Sequence, residues 1–148
     1  MGTGIVSAIS ISERKGTKKK NIPFTELKDD FGMIGDAHAG PGYKQISLLA
    51  EESIDKMRLK GLKVGPGDFA ENITTRNIDL LSLTPGDKLK IGTSVVLEIT
   101  ELGKKCHKRC NIYYEAGDCV MPREGIFARV LKGGIIRVKD RMESIKNV

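Results

Sequence analysis

The chain has no tryptophan, and its other aromatics number three tyrosines and four phenylalanines in 148 residues. Few ring faces are therefore on offer for stacking against bases, and no recognition motif for DNA or RNA is visible. Long apolar runs are missing as well. The longest stretches, such as residues 94–99, are far too short to span a bilayer. The N-terminus, MGTGIVSAIS, has no basic segment ahead of a long apolar one, so no signal peptide is expected and the protein is placed in the cytoplasm. Cysteine is scarce and odd in number, at three. In a reducing compartment that excludes a disulfide framework and leaves packing, metal ligation or reactive thiols.

What is abundant is charge. Lysine and arginine total 25 against 19 aspartates and glutamates, for a net charge of +6. That balance suits a phosphate-bearing ligand, an acidic protein surface or a plain solvated basic surface better than nucleic acid. The length fits a single domain, residues 1–148, with room for a real core.

The dominant hydrophobic period is two. Residues 5–11 (IVSAISI), 88–91 (KLKI) and 95–100 (VVLEIT) read as strands. The middle pair is punctuated by Pro85-Gly86-Asp87 and Gly92-Thr93. Residues 126–131 and 135–138 read as a final hairpin around Gly133-Gly134. Many short strands with turns between them predict a mainly β fold, a barrel or a sandwich. One helix is expected over Ala50 to Lys60. Glu51 and Glu52 sit in its first turn and Lys56, Arg58 and Lys60 in its last, the order that complements the helix dipole. Gly61 is placed to stop it, and Ile54, Met57 and Leu62 supply its apolar side. The run Lys15-Gly16-Thr17-Lys18-Lys19-Lys20 reads as a solvated basic loop, or alternatively as a flap over an anionic ligand.

Three stretches carry candidate chemistry. The densest is GKKCHKRC, residues 103–110. Cys106 is flanked by Lys104, Lys105, His107, Lys108 and Arg109, and cationic neighbours favour thiolate over thiol. The thiolate is both the nucleophile and the ligand for soft metals. Three other readings stand beside a reactive sulfur. One is a structural cysteine among solvated lysines. Another is a zinc site drawing on Cys106, Cys110, Cys119 and His107, although the spacing is loose and the positive charge disfavours a dication. The last is a dithiol in which Cys110 or Cys119 resolves Cys106. The second stretch is GDAHAG. If it is extended, Asp36 and His38 share a face, and an aspartate can orient an imidazole that binds an anion or moves a proton. The third is GPGDFAENI, a tight turn followed by Glu71 and Asn72, whose side chains either bond backbone inside the fold or line a pocket.

Taken together, GDAHAG, QISLLAEESI, PGDFAENITT, IDLLSLTPGDKLKIG, a cysteine after the VVLEIT strand and GIFARVLKGG resemble the MOSC family, named after the C-terminal part of molybdenum cofactor sulfurase. The resemblance runs from about Val6 to Asp140, and it is the order of motifs that makes it specific. It implies a stand-alone closed β-barrel with a few short helices. It also implies binding of the molybdenum cofactor, a phosphate-bearing pterin dithiolene. The family cysteine, thought to carry sulfur or ligate molybdenum, maps best onto Cys106, with Cys110 as second candidate for sulfur or metal. The GD-x-H and ENI motifs map onto Asp36, His38, Glu71 and Asn72. Lys105, His107 and Arg109 are then candidates to neutralise the pterin phosphate, joined by Arg129 and Arg123 if the barrel brings them near.

There are departures from the family pattern. The pyridoxal-phosphate desulfurase domain of full sulfurases is absent from this sequence, so no pyridoxal phosphate is expected here. Sulfur would come from a separate cysteine desulfurase and pass to molybdoenzyme clients. Asn77 stands where family members commonly have glycine, and asparagine tolerates the left-handed conformation. Lys139-Asp140 stands where Gly-Asp is usual. Rival expectations are a molybdenum-dependent reductase component for N-hydroxylated compounds and a non-catalytic, zinc-stabilised adaptor.

Overall fold

The computed structural model describes residues 2–14, 18–103 and 124–146. The expected first strand is β1 (Thr3–Ile11). It pairs antiparallel with β2 (Lys20–Ile22) and with β6 (Ile73–Arg76). The order continues from β6 through β5 (Ile46–Ala50), β9 (Ile126–Lys132), β8 (Val95–Leu102) and β7 (Lys88–Ile91) to β11 (Arg141–Ile145). Strand β11 then returns to β1, with Thr3 opposite Glu143 and Ile5 opposite Arg141. First and last strands thus close a barrel of seven strands, which removes the unpaired edges an open sheet would present.

The alternation read from the sequence fills this barrel. Leu89 and Ile91 on β7, and Val95, Leu97 and Ile99 on β8, all point inward and are essentially inaccessible to solvent. The β7–β8 hairpin is as expected, with Ile91 opposite Val95 across Gly92 at φ 63°. β1 carries a bulge between Val6 and Ala8. The extra residue, Ser7, donates its hydroxyl to Glu51.

The helix α1 (Glu51–Leu59) joins β5 to the parallel β6 side of the barrel and packs outside the wall. Ile54 and Met57 are fully buried against Leu49, Phe69 and Phe127, a contribution of about 1.5–3 kcal/mol for each side chain. Its end is a Schellman motif. Leu62 N donates to Met57 O, Gly61 N donates to Arg58 O, and Gly61 takes φ 91°. Leu62 packs back on the same cluster, which is why the helix stops where the glycine predicts.

The final hairpin is a correction. β10 (Gly134–Arg137) does not pair with β9. It pairs antiparallel with β3 (Phe24–Lys28), which also pairs with β4 (Gly32–Met33), forming a separate three-stranded sheet. Gly133-Gly134 is a corner at which the chain leaves the barrel. A Cβ at Gly133 would lie 2.1 Å from Leu27 O, so this crossing needs glycine for close approach of two backbones rather than for a hairpin turn. The basic run is a second correction. Lys18 is exposed as expected, but the side chain of Lys19 is only 1% exposed.

Candidate functional site

Two serines at the end of β1, Ser10 within the strand and Ser12 just beyond it, organise the site. Ser10 O accepts from Asn72 Nδ2 at 3.3 Å, and Ser12 N donates to Asp36 Oδ1 at 3.1 Å. The GDAHAG and FAEN motifs, far apart in sequence, are thus fastened to the same strand end.

Asn72 is a buried clasp. Its Oδ1 accepts from Ser47 N at 3.1 Å and from Ser47 Oγ at 3.2 Å, and its backbone N–H donates to Ser47 O at 2.9 Å. Glu71 is fully buried beside it, accepting from Thr74 Oγ1 at 2.9 Å and from Phe69 N at 3.3 Å. Burial pushes the Glu71 carboxyl above its ordinary value, against the opposing donors of Gly67 N, Glu71 N, Thr74 and Phe69 N. Ala70, just before it, sits at φ 66°, a costly conformation for a residue with a Cβ. Of the two fates open to these side chains, the structure shows the first: both bond groups inside the fold.

GDAHAG forms consecutive turns instead of an extended segment. Asp36 and His38 still meet, by a different route. Asp36 Oδ2 accepts the backbone N–H of His38 at 3.1 Å, an Asx-type turn, and lies 3.7 Å from His38 Nδ1. Asp36 Oδ1 takes Lys19 Nζ at 2.8 Å, with both side chains essentially inaccessible to solvent. Lys19 Nζ also donates to Ser12 Oγ at 3.2 Å and lies 3.5 Å from His38 Nδ1. Burial opposes ionisation of Asp36. The bonds from Lys19, Ser12 N and His38 N outweigh it and hold the carboxyl below its ordinary value.

Above this buried pair His38, 42% exposed in its side chain, opens into a cleft of about 650 Å³. Its other walls include Pro41, Tyr43, Lys44 and Glu101. Lys44 Nζ lies 3.7 Å from Glu101 Oε2 and 5.3 Å from the centre of the Phe127 ring. Tyr43 O accepts from Thr100 Oγ1, which ties this wall to the end of β8. Arg129 lies apart from the cleft walls, its Nε 2.7 Å from Glu98 Oε1.

Cys106, Cys110, Cys119, Lys105, His107, Arg109 and Arg123 lie outside the described residues. The flanks of their segment are described. Gly103 N donates to Gly125 O at 2.7 Å, and Glu124 accepts from Ser53 Oγ at 2.6 Å and from Lys56 Nζ at 2.9 Å on α1. Glu101, a wall of the cleft, stands two residues before Gly103. Among the described residues no cluster of His, Cys, Asp and Glu is arranged to hold a metal ion, and no helix is long and apolar enough to cross a membrane.

Ser12, Lys44 and Glu101 belong to this region and no sequence motif marks them; Lys19 belongs to it too, from within the run read as a basic loop or a flap over an anionic ligand. Lys19 is hidden in a run of three lysines, and nothing local distinguishes the one that turns inward.

A seven-stranded barrel with a buried Asp–Lys pair under a histidine-walled cleft defines the architecture. Residues 35–143 match the family model described as MOSC domain, and the chain belongs to that family. Among solved structures, it superposes on the YuaD protein from Bacillus subtilis with a TM-score of 0.83 at 16% identity, covering 99% of this chain and 97% of that one. It also resembles YiiM from Geobacillus stearothermophilus (TM-score 0.69, 16% identity, 97% of this chain and 75% of that one). YiiM from Escherichia coli is similar at a TM-score of 0.65 and 15% identity, over 97% of this chain and 71% of that one. At these identities the likeness is one of fold. No curated protein sequence matches the chain.

Proposed function

We propose that this protein binds the molybdenum cofactor and acts in its sulfuration, or in sulfur or metal delivery to molybdoenzymes, with Cys106 as sulfur carrier or molybdenum ligand. The observation that carries the reading is that Glu101, a wall of the His38 cleft, stands two residues before Gly103, from which the sequence runs into the cysteine segment. Two residues, Lys104 and Lys105, lie between Gly103 and Cys106 in the sequence.

The cleft residues fit the anionic, hydrogen-bonding part of such a ligand. The volume of 650 Å³ lies in the range of small-molecule sites. His38 and Lys44 are the donors to its anionic oxygens, and the exposed Tyr43 ring is a face for the pterin. Among the described walls, Lys44 and Glu101 balance each other's charge. Net positive charge for a phosphate then comes from Lys104, Lys105, Lys108 and Arg109. Asp36 acts from beneath, by fixing the turn that presents His38, and Glu71 and Asn72 act by fixing the strand end to which that turn is bonded. When bound, the cofactor supplies the molybdenum and the dithiolene sulfurs that a client enzyme uses.

In the carrier role, the Cys106 thiolate attacks the terminal sulfur of a persulfide on a separate desulfurase. A new S–S bond forms on Cys106 and the desulfurase cysteine leaves as thiolate. Incubation with a cysteine desulfurase and cysteine, followed by peptide mass spectrometry, tests this. One added sulfur on Cys106 is expected. Sulfur on Cys110 or Cys119 reassigns the carrier, and none on any cysteine removes the carrier role.

A further inference from the structure

We propose that Glu101 is a specificity-determining residue: it is the cleft's own counterion to Lys44, displaced by an incoming oxyanion, so that the cleft takes a dianionic phosphate monoester in preference to a singly charged anion. The inference deepens the cofactor-binding reading and rests on it, because it names the charge that the same cleft selects.

Lys44 is held by two contacts, and neither is a hydrogen bond. Its Nζ lies 3.7 Å from Glu101 Oε2 and 5.3 Å from the centre of the Phe127 ring. The ion pair is longer than hydrogen-bond range, and the ring attracts the ammonium through its face. Phe127 is itself buried in one cluster with Ile54 and Met57 of α1, so this seat stays in place when Glu101 moves. An ammonium has three donors. No acceptor among the described residues lies within hydrogen-bond distance of this one, so its donors are open to a ligand. The backbone around the pair is fixed from a single strand. Thr100 Oγ1 donates to Tyr43 O, and the next residue of β8, Glu101, meets the next residue of the wall, Lys44.

Glu101 is free to leave. Its side chain is 47% exposed, and its carboxylate has no second partner among the described residues, so it can turn to water. Exchange of one counterion for another then sets a threshold. A singly charged oxyanion that replaces Glu101 breaks one ion pair and makes one, with no Coulombic gain. A doubly charged one keeps a surplus, because the attraction scales with the charge brought to Lys44. A phosphate monoester carries close to two charges near neutral pH and offers three oxygens to the open donors. A phosphate diester carries one charge.

NMR titration of the isotope-labelled protein tests this at about pH 8, where a phosphate monoester is dianionic. Ionic strength is held constant, because exposed pairs are screened by salt. Methyl phosphate should shift the amides of Tyr43 and Thr100 saturably. Dimethyl phosphate should bind about fivefold more weakly, the upper worth of one exposed ion pair. Equal affinities overturn the charge selection. Glu101→Gln should tighten both ligands, by up to about the same factor; unchanged affinities overturn the role of Glu101. Lys44→Met should abolish the saturable shift and Lys44→Arg should retain it. Methyl phosphate binding that survives Lys44→Met overturns the assignment of Lys44 as the contact. Both side chains are about half-exposed, so the variants are expected to fold. Inorganic phosphate brings the same charge without the ester group, and tighter binding of it than of methyl phosphate overturns the ester assignment in favour of the free ion. Cofactor binding is read separately by pterin fluorescence. Cofactor that binds to a protein showing no response to methyl phosphate overturns this inference and leaves the cofactor reading standing.

Discussion

Lys19 and Asp36 meet at 2.8 Å with both side chains withdrawn from solvent. One comes from the basic run after β1 and the other from the GDAHAG turns, so the pair staples the loop that forms the cleft to the barrel. Removing one partner leaves an uncompensated buried charge. Lys19→Met is predicted to cost about 3–5 kcal/mol, as is Asp36→Leu. The double variant should cost less than the sum of the two, because neither charge then remains alone. Urea denaturation of all four proteins measures the coupling.

The buried carboxyls at Asp36 and Glu71 predict opposite pH dependences. Asp36 is held below its ordinary value of 3.8, so its stabilisation is present above that pH and is lost as pH falls through the lower native value. Glu71 is pushed above 4.5, so its stabilisation is greatest below that pH and is lost as pH rises through the higher native value. Glu71→Gln should abolish the second dependence and leave the acid limb in place. Thermal unfolding followed across the pH range separates them.

Lys139 takes φ 80° at the turn before β11, a conformation that costs a residue with a Cβ roughly 1–2 kcal/mol. Part of that gain is returned through the greater freedom of glycine in the unfolded chain. Lys139→Gly is predicted to stabilise the protein by about 0.5–1 kcal/mol. Calorimetry should show a higher Tm, and a lower one would contradict the turn geometry.

Gly133→Ala tests the crossing where the chain leaves the barrel. The new methyl would lie against Leu27 O, and the backbones must part to admit it. A loss of about 1–3 kcal/mol is expected. Faster hydrogen exchange should appear in β3 and β10 ahead of the barrel strands.

Much of the barrel was legible because its signals are local. The alternation in β7 and β8, the Gly92 turn and the Glu-first, Lys-last helix with its glycine stop all act within a few residues. Asn77, at φ 68°, adopts the left-handed turn that asparagine permits. What escaped the sequence was partner choice. Gly133-Gly134 has the composition of a hairpin, but β10 finds its partner in β3, more than a hundred residues earlier. Lys19 has the same neighbours as a solvated lysine, and only the return of Asp36 to the end of β1 makes its burial tolerable. A closed barrel follows from the family resemblance and not from periodicity, and the strand that closes it, β11 against β1, was not read in the sequence.

The His38 cleft, with the cysteine segment that follows Gly103 in the sequence, is proposed to hold the molybdenum cofactor. The most direct test is an anaerobic titration with the free cofactor, followed by pterin fluorescence, on wild type and Cys106→Ala. Saturable binding by the wild type that weakens at least tenfold in the variant is the predicted result, a difference of about 1.4 kcal/mol. No binding by the wild type would contradict the account.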